Sequence, residues 1–436
     1  MRVRNDLRLL LACVAAAAAL GGCGGGSLAT GGNVRLVNAT SAFATLDLYN
    51  GSTRISSGVA SNAASGYVEL DKGSHTFNVA DGATGVTAAT LSGNVSKDDH
   101  FTIVAYTTGG TLSAAYLTDK EGSPNSGTAK LRFFNTATSD VANVDAYLVA
   151  SACSLLASSF AAPIATSISG LQSAYAQANA TAAGTTYHVC ITAAGDKTDL
   201  RLDIPSVTLK DQQIVTVILT PTAGGVLLNG LLLNQQASLT SALNTSARIR
   251  LAVGAANSAS VTANANGIAL GAGLSAPAVG NYKLVPAGPL TIDMTVGGVT
   301  ASNVAGLTAA SGADLTLLVT GTASSMPVLI ADDNSASTST TNPVKLRLVN
   351  GMNGLAGTAI LTDNFDNVGD GAAFGTASSY AQVAASSALA RLEAINGVKQ
   401  LCLSNTVTLN ANSVYTVFLL GDISSVAGPC GLHVDR

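Results

Sequence analysis

An arginine flanked by alternating apolar residues returns four times along the 436-residue chain, as Val34-Arg35-Leu36-Val37-Asn38, Leu131-Arg132-Phe133-Phe134-Asn135, Ile249-Arg250-Leu251-Ala252-Val253 and Leu346-Arg347-Leu348-Val349-Asn350. Recurrence at long, regular intervals marks a repeated structural unit. The period-two alternation predicts a strand with one buried face and one wet face carrying the arginine. A tyrosine follows each copy, Tyr67, Tyr175, Tyr282 and Tyr380, at 32, 43, 32 and 33 residues after the arginine. A third landmark closes each unit: Phe101-Thr102-Ile103-Val104, Val215-Thr216-Val217-Ile218, Leu315-Thr316-Leu317-Leu318 and Tyr415-Thr416-Val417-Phe418. Each is preceded by a polar turn containing Asp99, Asp211, Asp314 or Asn412.

With the intervening runs, such as Thr45-Leu46-Asp47-Leu48-Tyr49, each unit holds about seven short strands separated by turn residues, the pattern of an immunoglobulin-like β-sandwich. The expected fold is all-β, with sandwiches at 33–119, 128–235, 246–333 and 343–436. Polar linkers separate them, the clearest being Asp119 to Gly127. Four such units in series predict an elongated rod if the contacts between them are small.

Residues 1–22 place Arg2, Arg4 and Arg8 before an apolar run from Leu9 to Leu20, the layout of a secretory signal and too short for a membrane span. The run ends in Leu20-Gly21-Gly22-Cys23, which resembles the lipobox of bacterial lipoproteins. The resemblance implies cleavage before Cys23, acylation of its thiol and amine, and a stable anchor of several chains in membrane lipid. Gly24 lacks the inner-membrane retention signal of Gram-negative lipoproteins, implying the outer membrane, facing either surface or periplasm. Residues 23–32 read as a Gly-rich tether.

Lys and Arg number 21 against 25 Asp and Glu, so the chain shows no basic footprint for nucleic acid. Only 11% of residues are charged and there is no Trp, which predicts thin cores and an uncharged polar surface. Small cores benefit from covalent support. Past Cys13 in the leader and Cys23 at the anchor, the remaining cysteines fall two per unit, Cys153 with Cys190 and Cys402 with Cys430. In an oxidising compartment these read as two disulfides.

Candidate chemistry is sparse. The histidines are His75, His100, His188 and His433, with no pair at metal-ligand spacing. The matched strand positions of His75 and His188 favour packing over ligation. Asp363, Asp366 and Asp370 crowd a Gly-containing segment and form a weak calcium candidate without EF-hand spacing. Nucleophile-elbow, zincin and phosphate-loop motifs are absent, so neither a catalytic residue nor a cofactor is expected. Tyr67, Tyr175, Tyr282 and Tyr380 read as structural tyrosines whose hydroxyls tie a turn to backbone.

The opening R-x-x-N strand, the D-x-Y segments at Asp47 to Tyr49 and Asp145 to Tyr147, and the Gly before Tyr67 together resemble the DUF4397 family. The match is fuller in the first two units; the third lacks D-x-Y and the fourth has Thr358-Ala359-Ile360-Leu361 there. The resemblance implies secreted or lipid-anchored sandwiches and supplies no catalytic motif. The function expected is a non-enzymatic envelope protein, structural or adhesive, with an envelope protein or polysaccharide as partner. The rival expectation is a carbohydrate- or small-ligand-binding protein.

Overall fold

The computed structural model describes residues 31–436 except 139–140, 171, 302–303, 305 and 426–430. The chain is almost entirely β. In each of four successive stretches a five-stranded sheet faces a four-stranded one, and the third stretch adds a two-stranded ribbon. This exceeds the expected seven strands, in part because the edge beside the opening strand is interrupted and, in the second unit, because a further strand, Leu239–Ala242, adds to the opposite edge. Beside Gly31–Asn38, for example, the edge consists of Ala63–Ala64 and Val68–Asp71, with Ser65 to Tyr67 between them.

The opening strand of each unit (Gly31–Asn38, Thr128–Asn135, Ser246–Ala255 and Val344–Asn353) lies in the middle of the larger sheet. It pairs parallel with the third-landmark strand of the same unit, and the register is identical throughout: Arg35 opposite Thr102, Arg132 opposite Thr216, Arg250 opposite Thr316 and Arg347 opposite Thr416. The alternation then sorts the residues. In the first unit Val34, Leu36, Phe101 and Ile103 point inward to meet Leu46, Leu48, Phe77 and Val79 of the smaller sheet.

The asparagine of R-x-x-N also points inward and is fully buried in three units. Its side-chain N–H reaches across to the smaller sheet, Asn38 donating to Val59 O at 3.1 Å and Asn350 to Ala372 O at 3.0 Å, while its Oδ1 accepts the backbone N–H two residues on. The D-x-Y aspartates act similarly in the smaller sheet. Asp47 accepts from Gly58 N at 2.7 Å, and Asp145 from Ser167 N and Gly195 N at 2.8 and 2.9 Å.

In three of the four units the edge interruption is stitched by a serine two residues before the landmark tyrosine. Ser65, Ser173 and Ser378 accept the N–H of Leu36, Phe133 and Leu348 at 2.9 to 3.0 Å. In the third unit Gly280 occupies this place and donates its own N–H to Leu251 O. Ser378→Ala leaves the Leu348 N–H buried without a partner. A loss of about 1–3 kcal/mol in unfolding free energy is expected, read from the urea midpoint.

Candidate functional site

The arginines do not face water. Arg35, Arg250 and Arg347 are each 2% exposed and Arg132 8%. Every Arg Nε donates to the threonine opposite it in the parallel pair, at 2.8 Å in three units and 3.2 Å in the fourth. Every guanidinium also lies over the ring of its landmark tyrosine, 4.4 to 4.7 Å from the centroid. A carboxylate at the end of the last strand completes the group, accepting from Thr102 and Tyr67 in Asp119, from Thr316 and Tyr282 in Asp332, and from Thr416 in Asp435. The two tyrosine hydroxyls thus donate to a carboxylate and not to backbone. Tyr380 Oη is buried with no hydrogen-bond partner. Burial raises the Tyr282 pKa well above its ordinary range and Asp332 adds to it, keeping the phenol a donor. Burial opposes the charge on Arg250, but the carboxylates of Asp435 and Asp332 hold its pKa above the usual value.

What covers the arginines is the neighbouring unit. The outward faces of the larger sheets meet in pairs, first with second and third with fourth. Val37, Val104 and Leu117 pack on Phe134, Ile218 and Leu231 in one pair; Ala252, Leu318 and Ile330 pack on Val349 and Phe418 in the other. The later pair is reciprocal: Arg250 forms an ion pair with Asp435 of the fourth unit, and Arg347 with Asp332 of the third. Gly254 lies where these sheets cross, and a Cβ there would come within 2.5 Å of Gly351 O. In the first pair Arg35 crosses to Asn234 O at 3.3 Å and to Ala237 O. Arg132 has only neutral partners, Thr216 and Gln172 Oε1 at 2.6 Å. The position matching Asp119 is Gln235 there, which bonds the Glu121 backbone at 2.9 Å through both ends of its amide.

Two expectations are thereby corrected. The arginine face is dry, because a second sheet covers it and supplies carboxylates or carbonyls. The rod with small contacts is replaced by paired sheets with mixed apolar and ionic interfaces, and the pairs also touch: Gly224 N donates to Gly312 O, and Asn334 N to Gly224 O, both at 3.0 Å. Between the first pair and the segment 333–338 lies an open cleft of about 370 Å³, lined by residues including Thr40, Asn62, Thr107, Thr222, Asn229 and Asp333.

The other sequence candidates lie apart. Cys153 and Cys190 form a disulfide, pinning a 3-10 turn, Cys153–Ser158, over Tyr147 of the smaller sheet. Cys402 is buried, while Cys430 lies outside the described residues, as do Cys23, the leader and most of the tether. His75 bonds Asn50 and the Asp71 carbonyl at a strand edge, and His188 bonds Asp203 at 2.9 Å. Asp363 and Asp366 flank a tight hairpin whose central residues, Asn364 and Phe365, have φ of 49° and 73°. Asp370 lies farther along the strand and accepts from the Ser379 N–H and hydroxyl. Among the described residues the three carboxylates do not converge on one point; the one converging group is Cys153, His188 and Asp203. Burial, then Asp366, raises the Asp363 pKa.

The tyrosine, arginine and threonine were legible as landmarks, but the serine before the tyrosine and the terminal aspartate were missed. The signal for the first was S-x-Y at Ser65, Ser173 and Ser378; for the second it was an Asp one or two residues beyond the last strand pattern.

No curated protein matches the chain. Among solved structures, a carbohydrate-binding module of Eubacterium rectale Amy13K (CBMbc, family CBM26, in complex with maltoheptaose) aligns at 6% identity and a TM-score of 0.14, over 44% of this chain and 92% of that one. The Bacillus anthracis TIE protein aligns at 10% identity and a TM-score of 0.13, over 86% of this chain and 65% of that one. At such scores neither likeness bears on function. The family model described as "Domain of unknown function (DUF4397)" matches residues 32–147 and 247–354, more than half of the chain. Each matched stretch holds a full Arg-Tyr-Thr-Asp group and runs on into the next unit's opening strand, through Arg132 or Arg347. By this match the chain belongs to the DUF4397 family.

Proposed function

We propose that the protein is a non-catalytic structural or adhesive component of the bacterial envelope, held at the outer membrane by lipid on Cys23. The observation that carries this reading is the pairing of sheets through buried arginines. It commits these ionic groups to holding one unit against the next, which makes a stiff frame and leaves recognition to loops and hairpin tips. Those tips carry fully or largely exposed apolar side chains, among them Phe160, Phe365 and Val398. An envelope protein or polysaccharide is the partner this surface suits.

Cell fractionation with a palmitate label tests the anchor. The parent chain is expected in the membrane fraction with label, and Cys23→Ala in the soluble fraction without it; equal sedimentation of both would sink the lipid anchor. Protease digestion of intact cells separates the two sides: cleavage supports adhesion at the surface, and protection until lysis supports a periplasmic role. The cleft of about 370 Å³ favours a second reading, binding of a small polar ligand, since its size is that of ligand pockets and its lining is rich in hydroxyls.

A further inference from the structure

We infer that the 3-10 flap of the second unit closes over a latent zinc site, masked by the Cys153–Cys190 disulfide and opened when that bond is reduced. Ligand atoms of Cys153, His188 and Asp203 all lie within 4.8 Å of one another, and Cys190 is the disulfide partner of Cys153. Two sulfurs, an imidazole nitrogen and a carboxylate oxygen are a donor set suited to tetrahedral zinc. The elements hold these groups in place. His188 and Cys190 are alternate residues on one face of the strand Thr185–Ala193, and Asp203 sits directly opposite Cys190 on the neighbouring strand. Cys153 comes down onto that face from the flap. His188 Nδ1 lies 2.9 Å from Asp203 Oδ1, so a zinc ion seated between them would take both atoms as ligands in place of this hydrogen bond, with the imidazole proton moving to Nε2.

With the disulfide intact the sulfurs are bonded to each other, and only His188 and Asp203, both part-exposed, remain as donors. A dithiol reductant supplies two electrons, cleaves the Sγ–Sγ bond and closes into its own disulfide, leaving two thiols. Zinc then displaces both thiol protons to solvent and takes the two thiolates together with His188 and Asp203. Apart from the disulfide, the flap is held by buried Leu156 and by Lys197, whose ammonium donates to the Ser159 and Ala161 carbonyls at 3.1 and 2.7 Å. Metal therefore restores the tie between flap and sheet that reduction removes.

Cobalt(II) titration of the full chain, with and without phosphine reduction, is the test, and competition by zinc follows. The reduced protein is expected to bind one cobalt per chain with thiolate-to-cobalt absorption, the oxidised protein none. His188→Ala is expected to weaken binding at least tenfold in the reduced state, a loss that thiols elsewhere in the chain do not produce. Asp203→Asn is a milder variant expected to weaken it less. Failure of the reduced chain to bind cobalt while circular dichroism still shows its β-structure overturns the proposal; so does unaltered binding by His188→Ala.

Discussion

Replacing Arg347 with alanine is expected to lower the unfolding free energy by about 3–5 kcal/mol, because it leaves the buried Asp332 carboxylate with only the more distant Arg250, at 3.6 Å, as a cation. Arg347 and Asp332 are 2% and 0% exposed at their side chains, so solvent does little to screen the pair or to rescue the remaining charge. The Ala331 carbonyl loses its donor as well. Arg132→Ala is the control within the same molecule. Its hydrogen-bond partners are the neutral Thr216 and Gln172, and its loss should cost only about 1–3 kcal/mol. Urea unfolding of both variants decides the matter. Equal losses would mean that the third and fourth units part easily and water reaches Asp332. Replacing Arg347 and Asp332 together by apolar residues of similar volume should recover most of the loss, since the pair offsets its own desolvation only in part.

Removing the Cys153–Cys190 bond by Cys190→Ala is expected to cost about 3–4 kcal/mol in the chain-entropy account, because the bond closes a loop of 37 residues in the unfolded chain. The loss should centre on the second unit, whose flap rests on Tyr147 and Leu156 near the bond. Hydrogen exchange checks this: faster exchange at Val149 and across 185–193, with the fourth unit unchanged, is the expected pattern. A small, uniform change across all four units would show that the bond does little beyond joining two surface segments.

The repeat and the strand character of its landmarks were legible because each rests on local alternation. The partner of each arginine was not. An isolated Arg between Leu or Val residues looks like the wet side of a strand, and nothing near Arg250 in sequence points to Asp435, 185 residues away. The uncharged surface was a weak hint, because a chain with 11% charged residues has few arginines to spend on solvent. The tyrosines stood out as landmarks from their spacing, but the partner expected for their hydroxyls, a backbone group, is replaced by a carboxylate in two units. A hydroxyl that bonds backbone and one that bonds Asp119 or Asp332 leave the same mark in sequence. The Asp363 to Gly371 segment reads as a weak calcium candidate by composition, but Asn364 and Phe365 take positive φ and turn it into a hairpin in which Asp370 accepts from Ser379.

The parallel pairing of the opening strand has a kinetic consequence. Arg35 and Thr102 lie 67 positions apart, and the corresponding separations in the other units are 84, 66 and 69. Contact order this high slows folding, since loop-closure entropy is lost before the native pairing rewards it. Each sandwich must therefore wait for almost its whole length before its first strand is secured, and the joined pairs must wait for two. Until then the opening strand has at most its nearby antiparallel edge partner, Ala63–Ala64 and Val68–Asp71 in the first unit, and its other side stays open to capture by chaperones or by the chain's own copies.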